Sequence, residues 1–301
     1  MIIQIIRVSI MKSNCFLNCN KGNRMVMKKI LLLLCIIAVS ACAHAADRII
    51  SAGSGITEII YALGAQKKLI AVDSTSRQYT TKDTLTVLGY HRQLATEPLL
   101  ALNPDTLVGS QEMGPQSTLQ QLAAAGVNVV IAPSGNNIDA LYARIDTIAK
   151  ITGSQKQAEV LKNNIHQSVE ELKNQSLDKS PKVLFMLAHG GRVMFGGAGT
   201  SVDEIIRLAG AINPAADHFD SYKTISMEKI VELQPDYLLI TQQTVNTHGG
   251  IDEFLKAYPL LNETPAGKNK AIILVPETAL IGELGIESIK LSHQLNDTFS
   301  G

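Results

Sequence analysis

Tyr90 and Arg92 stand two residues apart in the run Gly89-Tyr90-His91-Arg92-Gln93-Leu94. An ionised phenol is a hard anionic oxygen donor, but a pKa of about 10 keeps a free phenol neutral at physiological pH. A nearby guanidinium favours the anion. In an extended segment, side chains two apart point the same way. Tyr90 and Arg92 then share one side, and His91 turns away toward the surface. Spacing alone describes an exposed loop tyrosine equally well. His189 is the second residue of interest: an imidazole able to ligate a metal, directly after the apolar run Lys182 to Ala188. Its plain alternative is a histidine satisfied by loop backbone. His166 falls on the polar face of a helical stretch and His248 in a loop. The chain has neither an H-E-x-x-H run nor a histidine cluster of the kind that holds zinc.

Tyr90 lies near the start of a longer pattern, Leu88 to Ser110. Thr96 reads as a helix N-cap, Glu97 as an early acid and Pro98 as a first-turn proline. Leu99, Leu100 and Leu102 are the apolar positions. Asn103-Pro104-Asp105 ends the helix, because the residue before a proline avoids the helical region. Thr106 to Val108 then reads as a short buried strand. Ser226 to Thr241 repeats the pattern, with Ser226 as cap, Glu228 as early acid, Pro235-Asp236 as the break and Tyr237 to Ile240 as the strand. Glu97 to Pro104 and Glu228 to Pro235 have the same spacing. A second pair also recurs: TEIIYALGA, Thr57 to Ala65, matches DEIIRLAGA, Asp203 to Ala211, each an apolar-faced helix closed by a glycine, Gly64 or Gly210. Two repeats in the same order predict two similar lobes.

The 301 residues suffice for two ordinary domains. Met27-Lys28-Lys29, the apolar ILLLLCIIAVS and the small-residue ACAHAAD read as a secretory signal cleaved after Ala45 or Ala46. The apolar run is short for a membrane span. Val39-Ser40-Ala41-Cys42 also resembles a lipoprotein cleavage box, which would leave Cys42 lipidated. Residues 1–26 do not look like a signal, which points to Met27 as the true start. All four cysteines (Cys15, Cys19, Cys35, Cys42) lie at or before this region, so the exported chain has no disulfide and depends on core burial. Six of the 27 Lys and Arg, and none of the 27 Asp and Glu, precede residue 46, leaving a net charge of −6 on the remainder. An acidic chain argues against nucleic acid, whose phosphates need a basic face.

Strands alternating with helices predict α/β lobes with mostly parallel sheets. Arg48 to Ala52 reads as a strand and Gly53-Ser54-Gly55 as its turn into a helix, while Ser74 to Leu85 reads as polar loop. Ile138 to Gln175 reads as helical with a break at Gly153-Ser154. Its second part carries Ala158, Leu161, Ile165, Val169 and Leu172 on one stripe. It lies between the repeats and is expected to join the lobes. The predicted organisation is a signal region 1–46, an N-terminal lobe 47–152, a connecting helix 153–178 and a C-terminal lobe 179–301. Each lobe is Rossmann-like, and the ligand cleft lies between them, at the carboxyl ends of the strands. A final helix is expected from about Gly285 to Leu295.

The exported two-lobe plan, GYHRQLATEPLLALNPD and the paired acids resemble the periplasmic haem-binding proteins of haem ABC transporters, HmuT-like members of the class III, helical-backbone substrate-binding proteins. The resemblance spans roughly residues 47–296. It implies a periplasmic carrier that performs no reaction. Haem is the transported ligand, and the partners are an ABC permease with its ATPase and an outer-membrane haem receptor system. It implies Tyr90 as axial ligand of the haem iron, Arg92 as the group that eases its ionisation and His189 as a second ligand from the facing lobe. It also implies that Glu97 and Glu228, one per lobe, dock on arginines of the two permease halves; as plain helix chemistry, both acids stabilise a helix dipole. One departure is visible: relatives carry Gly-Pro-Arg near the start of the last helix, where this chain has Gly285-Ile286-Glu287. The alternatives are a carrier of the same fold for a ferric siderophore or cobalamin, and an enzyme, for which no G-x-S-x-G or Walker sequence is present.

Overall fold

The computed structural model describes residues 47–80, 85–175, 177–189, 192–280 and 282–301, with the backbone alone of His189 and Arg192. The expected signal segment, Cys42 and the other cysteines lie outside the described residues. The first half contains β1 (Ile49–Ala52), α1 (Ser54–Ala62), β2 (Leu69–Val72), β3 (Thr86–Val87), α2 (Thr96–Ala101), β4 (Thr106–Gly109), α3 (Gln116–Ala124) and β5 (Asn128–Ile131). Two long helices follow, α4 (Ile138–Thr152) and α5 (Gln155–Asn174). The second half contains β6 (Val183–His189), β7 (Arg192–Gly196), α6 (Ser201–Leu208), β8 (Tyr222–Lys223), α7 (Met227–Leu233), β9 (Tyr237–Thr241), α8 (Gln242–His248), α9 (Ile251–Ala257), α10 (Pro265–Lys268), β10 (Ile272–Val275) and α11 (Ile286–Ser300).

The first sheet, in the order β3-β2-β1-β4-β5, is parallel throughout. The second, β10-β9-β6-β7-β8, is parallel over its first three strands and antiparallel over β7 and β8. The α/β architecture with mostly parallel sheets is therefore the one the alternation of patterns predicts. Its strands are near-continuous apolar runs because helices cover both faces. Alternate residues serve different cores. Ile49 of β1 and Val183 of β6 enter one large cluster, Ile50 a second, and Leu184 a third.

The two sequence repeats have a physical cause. In each, the residue before proline leaves its helix with a left-handed backbone, φ 48° at Asn103 and 47° at Gln234. The aspartate after the proline then turns back on the first strand of its own sheet. The Asp105 carboxylate accepts the Arg48 N–H at 3.0 Å, and the Asp105 N–H donates to the Arg48 carbonyl at 2.9 Å. Asp236 does the same with Lys182, both bonds at 2.8 Å. These paired bonds set β4 beside β1 and β9 beside β6. Ser226 caps α7 as expected, accepting the Lys229 N–H. Thr96 does not cap α2. It is the first helical residue, after Ala95, and its hydroxyl bonds Gln121.

Gly153, with φ 73°, separates α4 from α5. On α5, Ala158, Ile165, Val169 and Leu172 are buried, as their spacing predicts. They join the large cluster, which contains Val108 of the first sheet, Leu239 and Val275 of the second, and Ile289 and Leu295 of α11. α11 is also tied to the first half of the chain. The Glu58 carboxylate on α1 accepts the N–H groups of Ile286 and Glu287 at 3.0 and 2.7 Å. An acid there satisfies donors that a helix N-terminus leaves unpaired. Among the described residues no helix is long and apolar enough to cross a membrane.

Phe254 lies fully buried in the second-sheet cluster, its ring 5.0 Å from that of Tyr258. Phe254→Ala should lower stability by about 3–5 kcal/mol, read as a reduced urea midpoint.

Candidate functional site

The carboxyl ends of the parallel strands of both sheets open onto one cavity of about 830 Å³. The size falls in the range of small-molecule and cofactor sites. One wall is polar: Tyr90, His91 and Arg92 after β3, and Ser110 to Glu112 after β4. The facing wall, from the second half of the chain, is mixed: Phe185 and Leu187 of β6 and Met194 of β7 form an apolar patch, with Thr241, Gln243 and Glu277 beside it. Gly109 closes β4 against β1. A Cβ there would stand 2.7 Å from the Ala52 carbonyl, so the approach of these two strands at the cavity floor requires glycine.

Tyr90 is 41% exposed at this cavity. It does not continue as a strand. A 3₁₀ turn over His91–Gln93 follows immediately. The turn, and not strand alternation, brings the Arg92 guanidinium carbon to 6.0 Å from the Tyr90 ring centroid. Arg92 also forms an ion pair with the Glu112 carboxylate, so its charge is shared between Tyr90 and an acid. The same turn overturns the expectation that His91 faces the surface. His91 is 6% exposed, because a tight turn swings alternate side chains inward beneath the loop. Its Nδ1 lies 2.9 Å from Asp73 Oδ2, its Nε2 3.8 Å from Glu112 Oε2, and its ring centroid 4.5 Å from that of Tyr90.

Asp73 follows β2 and is fully buried. Its carboxylate accepts the Gly53 N–H at 3.1 Å, the Thr75 hydroxyl at 2.8 Å and the Ser76 hydroxyl at 2.9 Å, besides the His91 ring. Ser76 extends the network to Thr57 at 2.8 Å, and Thr57 to Ser51 at 2.7 Å. Burial pushes the Asp73 carboxyl up, but the bonds from His91, Thr75 and Ser76 outweigh it and hold the group below the usual carboxylate range.

A second polar hub lies at the far edge. Arg144 of α4 is 3% exposed and donates to the carbonyls of Pro133, Gly135 and Leu284. It pairs with Glu283 at 3.0 Å. Asn136 bridges as well, donating to the Gly199 carbonyl and accepting the Leu284 N–H. Burial raises the Glu283 carboxyl, and the Arg144 charge opposes that rise. On the second sheet, Tyr222 of β8 stands edge-on to Phe185, with centroids 6.3 Å apart.

The remaining expected residues fall as follows. His189 is the last residue of β6, its backbone paired opposite Arg192; its side chain lies outside the described residues. Glu97 and Glu228 are both exposed, each in the first turn of its helix, and neither forms an ion pair among the described residues. His166 is exposed on α5. His248 is not in a loop: it ends α8, its Nδ1 2.7 Å from the Thr244 carbonyl and its ring against Phe254 and Tyr258. The apolar run before it continues into helix where loop was expected. At the start of α11, where relatives are expected to carry an arginine, Glu287 pairs with Lys290 at 2.6 Å and the Glu58 carboxylate occupies the helix end. Sequence reading missed Asp73, Glu112, Arg144 and Tyr222. Asp73-Ser74-Thr75-Ser76 has the composition of a capped turn, and Arg144 shares a helical stripe with Leu141 and Ile148, so both carried a local signal. Glu112 and Tyr222 carried none.

The profile of the periplasmic binding protein family matches residues 49–279. The chain belongs to the periplasmic binding protein family. Within it, the chain is similar to the periplasmic haem-binding protein HutB of Vibrio cholerae, 43% identical with a TM-score of 0.81, covering 84% of this chain and 99% of that one. A periplasmic haem-binding protein from Pseudomonas aeruginosa is 30% identical, with a TM-score of 0.77 over 85% of this chain and 93% of its own. The periplasmic haem-binding protein RhuT from Roseiflexus sp. RS-1 is 33% identical, with a TM-score of 0.77 over 84% and 98%. A vitamin B12-binding protein of Yersinia pseudotuberculosis is 28% identical over 200 residues, 66% of this chain and 71% of that protein.

Asp73→Asn should cost roughly 1.5–3 kcal/mol at pH 7, the worth of hydrogen bonds to a charged group. The native carboxyl titrates below its unfolded value of about 3.9. Its contribution is therefore present above that pH and lost as pH falls through the native value. Urea midpoints should show wild type and variant converging as pH falls below about 3.9.

Proposed function

We propose that this chain is a carrier that binds haem between its two sheets and delivers it to an ABC permease, and that it performs no reaction itself. The observation that carries the reading is the Tyr90 phenol, half-exposed in a cavity that also presents an apolar patch of Phe185, Leu187 and Met194. Haem presents a flat apolar macrocycle with a hard ferric centre. An apolar patch suits the first and a phenolate the second. The haem-binding function of HutB, RhuT and the Pseudomonas protein supports the same reading.

In this reading Tyr90 is the principal iron ligand, and Arg92 favours the phenolate while being held by Glu112. His189, at the end of β6, supplies a second ligand from the opposite sheet. Residues 47–152 and 179–301 act as the two lobes, with 153–178 joining them. Residues 27–46 direct export to the periplasm and are cleaved, and an outer-membrane receptor supplies the haem. The likeness to a vitamin B12-binding protein favours one alternative cargo, cobalamin. The visible spectrum separates the two, since only haem bound through a phenolate gives a tyrosinate-to-iron charge-transfer band.

Glu97 and Glu228 dock on arginines of the permease, one on each half. Both are exposed and occupy the same place in the two repeats. A carrier with two like lobes meeting a two-fold permease needs matching charges on both. The Glu228 carboxyl is held low by its own backbone N–H and the Ser226 hydroxyl, so it is anionic at neutral pH.

Titration of Tyr90→Phe with haemin should show the charge-transfer band gone and affinity sharply reduced; an unchanged spectrum and affinity would remove Tyr90 as ligand. The double variant Glu97→Ala with Glu228→Ala should bind haemin as wild type does, while delivery to the permease in proteoliposomes falls. Normal transport by that variant would leave the two acids a helix-dipole role only.

A further inference from the structure

Tyr90 offers its phenol from a weakly held position. It follows a strand only two residues long, its side chain is half-exposed, and it stands at the entry to a 3₁₀ turn. A tyrosine so placed has rotamers to lose when it engages a ligand. The residue after it is held very differently. The His91 ring is buried, and its Nδ1 is fixed at 2.9 Å on a carboxylate that is itself tied to Gly53, Thr75 and Ser76. Its backbone is tied as well: the His91 carbonyl accepts the Gly114 N–H at 2.9 Å, and one residue before Tyr90 the Gly89 carbonyl accepts the Ser74 N–H at 3.2 Å. The two rings meet at 4.5 Å between centroids and 58° between planes, a tilted contact within the attractive range for aromatic pairs.

We propose that His91 is a positioning residue for Tyr90: a ring anchored on buried Asp73, against which the phenol rests so that its oxygen is held toward the cavity. The proposal rests on reading Tyr90 as the ligand that meets the iron. His91 itself does not touch the cargo in this role. Glu112 lies beside both neighbours of the phenol, its carboxylate paired to Arg92 and one oxygen 3.8 Å from His91 Nε2, beyond hydrogen-bond distance. The arrangement explains why a histidine expected at the surface is instead buried. An imidazole supplies a flat ring to Tyr90 and an N–H to Asp73 at the same time. Asparagine would keep the polar contact and lose the ring; phenylalanine would keep the ring and lose the polar contact.

The test reads the empty protein first and the loaded protein second. In protein labelled with 3-fluorotyrosine, the Tyr90 ¹⁹F resonance is identified as the one that Tyr90→Phe removes. In His91→Asn this resonance should move toward the position of free fluorotyrosine and sharpen. The haemin Kd should then rise roughly tenfold, on the order of the ordering cost of one side chain, with a weakened charge-transfer band. Asn296→Ala serves as control: Asn296 is buried on α11, bonded to the carbonyls of Gln175 and Ala209 and outside the cavity, so it should lower the melting temperature and leave both signals in place. A Tyr90 resonance and haemin affinity unchanged in His91→Asn would overturn the proposal, as would equal changes in Asn296→Ala. Should His91→Asn not fold, His91→Gln, which also keeps a polar group and lacks the ring, takes its place, with the same result expected and the same result overturning the proposal. A wild-type protein that shows no charge-transfer band would sink the haem reading alone, and the ¹⁹F comparison would still decide whether His91 holds Tyr90.

Discussion

A carboxylate removed from water must be surrounded by donors, and at Asp73 that requirement organises the polar wall of the cleft. Its donors come from three separate segments: Gly53 after β1, Thr75 and Ser76 after β2, and His91 after β3. Each segment follows the carboxyl end of a parallel strand, where a sheet of this kind presents its ligand edge. Loops there would otherwise be free to vary. Converging on one buried charge, they have a fixed arrangement, and Ser51, Thr57 and Ser76 carry the network back to β1 and α1. The half-exposed phenol of Tyr90 therefore stands on a rigid base.

The two sheets are coupled as well as adjacent. The large apolar cluster draws from both, with the stripe of α5 and the inner face of α11. Two polar crossings reinforce it. Glu58 of α1 caps α11, and Arg144 of α4 gathers the carbonyls on either side of the cleft edge together with Glu283. Both crossings use charged groups in half-buried or buried settings, where leaving one partner alone costs far more than an exposed pair is worth. These ties join the halves at one edge of the cleft, and the cavity lies open between the remaining walls.

The electrostatics of the cavity follow from pairing. Arg92 is matched by Glu112 and Arg144 by Glu283. The wall from the first sheet thus presents neutralised pairs and a phenol, and the facing wall presents hydrocarbon, rings and a thioether beside the Gln243 amide and the Glu277 carboxylate.

Fold class and repeat structure were legible in the sequence, because they rest on local rules. Apolar runs of strand length, glycine-closed helices and the Pro-Asp turns at Pro104 and Pro235 each act over a few residues, and the same local rule operates twice. The stripe on α5 was legible for the same reason. The segment around Tyr90 was legible as chemistry, but its geometry was not. Alternation placed His91 outside, whereas the 3₁₀ turn buried it. What decided that turn was Asp73, 18 residues away, together with the Gly114 N–H that holds the His91 carbonyl. Glu112 reaches Arg92 only because β4 lies beside β1, and Glu58 reaches α11 from 228 residues away. The sequence by itself determined which residues form strands, helices and turns, and which side chains could bind a hard metal centre. Tertiary structure alone decided which of them face one another, because burial and charge pairing are settled between segments that no local spacing relates.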